Sequence, residues 1–502
     1  MLSRFSFALT VVAIAICILV SCTHDPQIPV TTDNGYPPDI ANIITTRCAI
    51  SGCHNQASYI NASGLLLDTW DHMFNGDDFG AVVVPYWPQY SPLLYFVNSD
   101  ATLGPILSPQ MPVAGSAPAL TKDEYLKLSN WVAAGAPDKN GNIPFATEAA
   151  TRQKIYGLCN DYGVDLLAVI DAKRHVIMRY IKVGANDAVV ESGHDLAPSV
   201  DGSTIYESFV TGSVLQKADM LNDVAVSTAS LHSDGANTNW ALLCLNDSNT
   251  RLMVTNWADK SIGGRATSVN TTTMTEQPQK TFSPLNYPHG IVSNKSFDTF
   301  FVTASNGNCI YKLINPLDSQ TLISLDNKPA TDVADNLGPH AIWMAPDYSR
   351  YFVTCQNSNE VRVMDAHADT LMAVIPVGGY PQEIEASSSP LTPYVFVTCR
   401  NDSTAFNPKG SIGSVYVINY NTMQFVKAIY SDFRQPHGIT VDNQNNLLYV
   451  FSLNMNGPPQ HHDVKNYRSG WYTIIDIATL APYNFNRYGL LANPYEGAAR
   501  FK

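Results

Sequence analysis

A mainly β protein is predicted, built as a seven-bladed β-propeller with four-stranded antiparallel blades and a small α-helical domain in front of it. Three observations carry this fold class. From about residue 150 helical periodicity disappears, and short β-rich runs alternate with polar turns. In that region one strand–turn–strand block returns about every 50 residues, a spacing in the range of propeller blades. The last block stops after its first strand, while three unclaimed strands precede the first block. Joining the two ends completes one more blade and removes the exposed edges of an open array.

The chain has 502 residues, which suits two or three domains unless one is a large β architecture. Lys plus Arg number 30 and Asp plus Glu 43, a formal net charge of −13. With no basic cluster to release counterions from a phosphate backbone, nucleic acid is excluded as a partner. Hydrophobic residues make up 45 % and charged residues 15 %, so the composition supports a core and excludes general disorder.

In chain order, residues 1–21 read as a secretory signal. Arg4 precedes an apolar run from Phe5 to Val20, too short and one-sided for a stable membrane span. The run closes on Leu19-Val20-Ser21-Cys22, which resembles the bacterial lipobox. That resemblance implies cleavage before Cys22, lipidation of its thiol, and a cell-envelope protein held to the membrane by lipid alone. Residues 22–35 are polar and proline-bearing, a tether between lipid and fold.

Residues 36–144 form the helical domain. Cys48 and Cys53 stand in the segment RCAISGCHN, a C-x4-C-H arrangement. Two thiols followed at once by His54 are what covalent haem attachment needs, although the usual spacing is C-x-x-C-H. A disulfide or half of a zinc site is the alternative, and no second cysteine pair follows to complete a zinc site. PPDIANIITTR reads as a short helix leading into Cys48. LTKDEYLKLSNWVAAGAPD reads as an amphipathic helix with Thr121 as N-cap, apolar Leu126, Leu128, Trp131 and Val132, and a stop at Gly135 and Pro137.

Between them lie GLLLDTWDHMF, VVVPYWPQYSPLLYFV and SPQMPVAG. Together these pieces resemble the small cytochrome c domains of the planctomycete type. The longer cysteine spacing and Tyr86-Trp87, where Pro-Gly is common, depart from that pattern. The resemblance implies one covalent haem c on Cys48 and Cys53, with His54 as proximal ligand and Met111 as distal ligand. His72 and Met73 are competing distal candidates. A thioether opposite imidazole favours ferrous iron and suits electron transfer.

Residues 150–502 hold the propeller. Full blocks begin at GHDLAPSV, WALLCLND, PHGIVSNK, PHAIWMAP, PQEIEASS and PHGITVDN, and YEGAARFK runs off the end. The strands KIYGLCN, DLLAVID and HVIMRYIKVG are expected to finish the seventh blade. FVT and LYV at the second strand, with D-x-x-x-x-x-V at the third-to-fourth turn, resemble YVTN-type propellers. Cys159, Cys244, Cys309, Cys355 and Cys399 are scattered singly and read as small buried hydrophobes.

The second position of the repeat reads His194, Ala241, His289, His340, Gln382, His437 and Glu496. Four histidines at seven equivalent positions, from 12 in the whole chain, point to a shared channel mouth. His461, His462 and His232 are expected in loops on the same face, and His175 and His367 on the opposite, solvent-facing side. Converging imidazoles suit Cu, Zn or Fe; a structural role against the next blade is the alternative. Nitrous oxide reductases and cytochrome-bearing nitrite reductases also join a propeller to an electron-transfer module, an analogy of fold. The sequence therefore predicts an extracytoplasmic haem c electron-transfer protein, its propeller mouth a metal or active site for a redox partner or a small-molecule substrate. A non-catalytic carrier, or a binding protein that docks partners on its propeller, is the alternative.

Overall fold

The computed structural model describes residues 33–501 except 148, 162, 187–189, 231–238, 316–318, 404–406, 408–410, 456–461, 463–468 and 485–486. Cys22, His232 and His461, with the signal run, lie outside the described residues.

Seven antiparallel sheets make the propeller. Blades 1 to 6 span residues 193–230, 240–282, 288–324, 339–376, 381–429 and 436–489 in unbroken strand order. Blade 7 takes its innermost strand from Pro494–Ala499 and its other three from Lys154–Asp161, Val164–Asp171 and Val176–Val183. Ile155 pairs with Ala499 and Gly157 with Gly497, so the chain ends close the ring as expected. The same pairing seats Phe451 over two glycines. A Cβ at Gly497 would lie 2.1 Å from the Phe451 ring, and one at Gly157 2.9 Å from it.

Each first strand carries one irregularity, and it explains the FVT signature. In blades 1 to 6 the register with the second strand shifts after the first residue of the block, as between Pro288 and Ile291 or Pro339 and Ile342. Such a bulge re-aims side chains and leaves ladder groups without strand partners. A hydroxyl on the second strand satisfies them. Thr354 accepts the N–H of Ala341 in its own blade at 2.9 Å and donates to the carbonyl of Gln382 in the next at 2.8 Å. Ser208, Thr255, Thr303 and Thr398 repeat this bridge onto the carbonyls of Ala241, His289, His340 and His437. Phe451 stands at the equivalent place in blade 6.

The N-terminal region folds around short helices: α1 (Pro38–Arg47), α2 (Trp70–Met73), α3 (Pro92–Val97) and α4 (Lys122–Ala133). Pro38 starts α1, where its missing N–H costs nothing. Thr121 and Glu124 cap α4 reciprocally. Arg47 of α1 reaches Glu124 at 2.9 Å and ties the two together. The buried face of α4 is Tyr125, Leu128, Trp131 and Val132. Leu126 is exposed, a correction to the expected face, because the helix phase set by Leu128 and Val132 turns it outward.

This region packs on blades 6 and 7. Trp87 and Tyr90 meet Tyr180 edge-on, Arg174 pairs with Asp71 at 2.7 Å, and Gly489 donates to the Phe79 carbonyl at 2.7 Å. His175 is not solvent-facing. It is half-buried among Tyr449, Tyr483 and Tyr488, with Nδ1 2.9 Å from the Tyr449 hydroxyl. His367 is exposed as expected.

Candidate functional site

Two sites emerge. The first is a cavity of about 320 Å³ in the N-terminal region, lined by Cys48, Cys53, His54, Met111 and Pro112, with Asp77 and Phe96 at its side. Helix α1 delivers Cys48 as its C-cap, and the following turn brings Cys53 and His54 back beneath it through the bond from His54 N to Cys48 O. The ring of His54 is fixed by Nδ1 at 3.1 Å from the Leu65 carbonyl, which leaves Nε2 without the backbone bond. Met111 is held by its N–H to the Phe96 carbonyl at 2.7 Å. Burial lowers the affinity of His54 for a second proton and pushes the Cys48 thiol up to about 12. Cys48 and Cys53 are separate thiols, not a disulfide.

The competing residues lie elsewhere. His72 holds Asp68 at 2.6 Å, Met73 is fully buried in the core, and neither lines the cavity. Two sulfur nucleophiles, an oriented imidazole and a thioether thus share one apolar-walled space. That donor set fits a covalently attached haem.

The second site is a ring of side chains on the propeller axis. Ring centroids run His194–His289 5.2 Å, His289–His340 4.1 Å, His340–His437 6.2 Å, His437–Tyr495 3.9 Å and Tyr495–His194 4.9 Å. All four repeat-position histidines are therefore gathered, as their register implied. The circle is completed by Tyr495, a correction to the expected Glu496. Pro494, not Tyr495, opens the last block, so every later residue moves one place along it.

Glu496 falls one step further in, beside Glu383 and Asp195. Burial together with those neighbours raises its carboxyl well above the ordinary range. Glu383 is pushed up to about 8 by burial and Asp195. Neither Glu383 nor Tyr495 was singled out in the sequence. Glu383 follows Gln382, and the third repeat position could have shown it: Asp195, Glu383 and Glu496 all stand there.

Above the ring opens a cavity of about 730 Å³, bordered by His194, His289, His340, Tyr495, Trp257 and Arg400. Burial holds the four imidazoles neutral, with His289 drawn down to about 4 and His437 to about 3. His462 is not at this mouth, a correction to its expected place. Its Nε2 lies 3.0 Å from Asp77, and its ring packs between Phe79 and Phe96. Leu453 and Met455 border the mouth, while His462 touches Asp77 and Phe96 of the first cavity's wall.

The fold and these two sites define a seven-bladed propeller with an axial histidine ring and a cysteine- and histidine-lined companion cavity. No protein-family model matches the chain, and no curated protein does. Among solved structures it is similar to hydrazine synthase of Kuenenia stuttgartiensis, at 16 % identity over 57 % of this chain and 77 % of that one, with a TM-score of 0.45. It is also similar to a functionally unknown protein from Desulfotomaculum acetoxidans, at 12 % identity over 68 % of this chain and 99 % of that one, with a TM-score of 0.48.

Proposed function

We propose that this chain is an extracytoplasmic electron-transfer protein, lipid-anchored at Cys22 in the cell envelope, which carries one covalent haem c in its N-terminal region. Its propeller mouth is a metal centre that serves a redox partner protein or a small-molecule substrate. The observation that carries the reading is the convergence of Cys48, Cys53, His54 and Met111, from separate segments, on one cavity. Cys48 and Cys53 would hold the porphyrin through thioether bonds, and His54 and Met111 would ligate its iron. The bound group supplies reversible one-electron chemistry.

The chain's own residues do the rest. The Leu65 carbonyl fixes the tautomer and orientation of His54 by taking its Nδ1 proton. Val82, Leu93 and Val97 wall the cavity with apolar surface, which excludes water and favours the less charged state of whatever it encloses. Asp77, bonded to His462, places one carboxylate at the edge of that cavity and joins it to the propeller.

The test is a spectroelectrochemical titration of full-length protein matured with haem, beside Met111→Leu. A reversible one-electron couple whose potential falls in the variant is the expected result. A wild-type protein with no reversible couple would refute the electron-transfer reading, and an unshifted variant would remove Met111 as a ligand.

A further inference from the structure

Resting on the reading of the propeller mouth as a metal centre, we propose that His340, His437 and Glu383 bind one divalent first-row transition ion. The ion sits on the axis beneath the mouth, with at least one coordination position left for an outside molecule. The argument begins with which nitrogens in the ring already have partners. His194 and His289 satisfy each other, their Nε2 atoms 3.1 Å apart, and Nδ1 of His289 faces the His340 carbonyl at 3.4 Å. That carbonyl can only accept, so His289 carries its proton on Nδ1 and receives one from His194 on Nε2.

His437 and His340 differ. Nδ1 of His437 donates to the Tyr495 carbonyl at 2.9 Å, so its Nε2 presents a lone pair, wholly buried and unmatched. His340 keeps an unmatched buried Nδ1, 3.7 Å from a carboxylate oxygen of Glu383. Among the described residues these are the histidine nitrogens left orphaned in the interior. A buried polar atom with no partner is costly, and an ion is one of the few groups that would satisfy both at once.

Glu383 supplies a carboxylate oxygen, releasing its proton as the ion binds. Ligand atoms of His340, His437 and Glu383 lie within 4.8 Å of one another, and all three residues are buried. Bonds of about 2.1 Å to one ion set neighbouring ligand atoms ~3–4 Å apart, so binding draws the trio inward by about an ångström. The Tyr495 carbonyl orients His437 as outer partners orient ligating histidines elsewhere. Two imidazoles and one carboxylate suit Zn, Fe or Cu and leave a position open, the pattern of reactive rather than structural sites. His340 also borders the mouth cavity, so an outside molecule reaches the ion from that side.

The test dialyses full-length, haem-loaded protein against Zn²⁺ and counts metal by elemental mass spectrometry, with Zn K-edge X-ray absorption on the same sample. One zinc per chain, two imidazoles and a carboxylate oxygen in its shell, and at least a tenfold loss of affinity in Glu383→Gln and in His437→Gln are expected. His367→Gln, on the exposed far side, should bind as wild type. The absorption spectrum of wild type tests the ligand set even where a buried variant fails to fold. Zinc retained in Glu383→Gln but lost in His194→Gln or His289→Gln would overturn this ligand set while leaving a metal at the mouth. No zinc in wild type would overturn the mouth metal centre itself. Neither outcome bears on the haem, which is read separately.

Discussion

Replacing Thr354 by Val tests the physical basis of the propeller at one hydroxyl. Val keeps the shape and removes the group that bridges blades 4 and 5. Two buried backbone groups then lose their partner: the Ala341 N–H, bonded at 2.9 Å, and the Gln382 carbonyl, bonded at 2.8 Å. Ala341 is 1 % and Gln382 2 % exposed, so water does not reach either. Each orphaned buried group costs about 1–3 kcal/mol, and the added methyl recovers part of that, so a loss of about 3 kcal/mol is expected. This is a large share of the ~5–15 kcal/mol that holds an ordinary domain. Urea unfolding of wild type, Thr354→Val and Thr354→Ser measures it. The Val variant should unfold at lower urea with an unchanged slope, and the Ser variant, which keeps both bonds, should stay within about 1 kcal/mol of wild type. A Val variant as stable as wild type would show that the hydroxyl bridge does not hold the blades together.

Other tests follow from the same structure. Deleting residues 497–502 removes the pairing of Ile155, Tyr156 and Gly157 with the last strand and the bonds of Arg500 to the Gly202 and Arg152 carbonyls. It should lower stability by on the order of several kcal/mol in a thermal melt; an unchanged melt would contradict closure. Glu207 is fully buried with both carboxylate oxygens unpartnered, and burial, with Asp165 adding, pushes its carboxyl from 4.5 up to about 8. Because the folded value is the higher one, its contribution is fully present below pH 4.5 and is lost as pH rises through about 8. Glu207→Gln should therefore gain on wild type, by on the order of a few kcal/mol between about pH 5 and about pH 9, in paired urea titrations. A stability difference that does not change with pH would mean that Glu207 is solvated in the folded protein.

The propeller was legible because its signals are periodic. The block spacing, the single strand left at one end and the three at the other are all linear features, and the sheet order reproduces them. The four histidines were legible for the same reason: equivalent positions in a closed ring meet at the axis. The last block was displaced by one residue because no second strand follows it in the chain to set its register, and so Glu496 was expected where Tyr495 stands. Glu383 left a weaker trace: its repeat position is acidic in Asp195, Glu383 and Glu496 but Leu, Gly or Ala in the other blocks. His462 sits in a loop, where no period constrains a side chain, and a bond to Asp77, 385 residues away in sequence, decides its place. His175 looked exposed from its turn position, but Tyr449, Tyr483 and Tyr488 of blade 6 half-bury it.

The covalent haem is the claim on which the account turns, and intact-mass spectrometry of the protein matured with a haem-attachment system tests it most directly. Wild type should carry the mass of one haem that survives denaturation. Cys53→Ser should lose full attachment, and a protein with both Cys48 and Cys53 changed to Ser should carry none. A wild-type mass equal to that of the bare polypeptide, or full attachment in the doubly changed protein, would contradict the account.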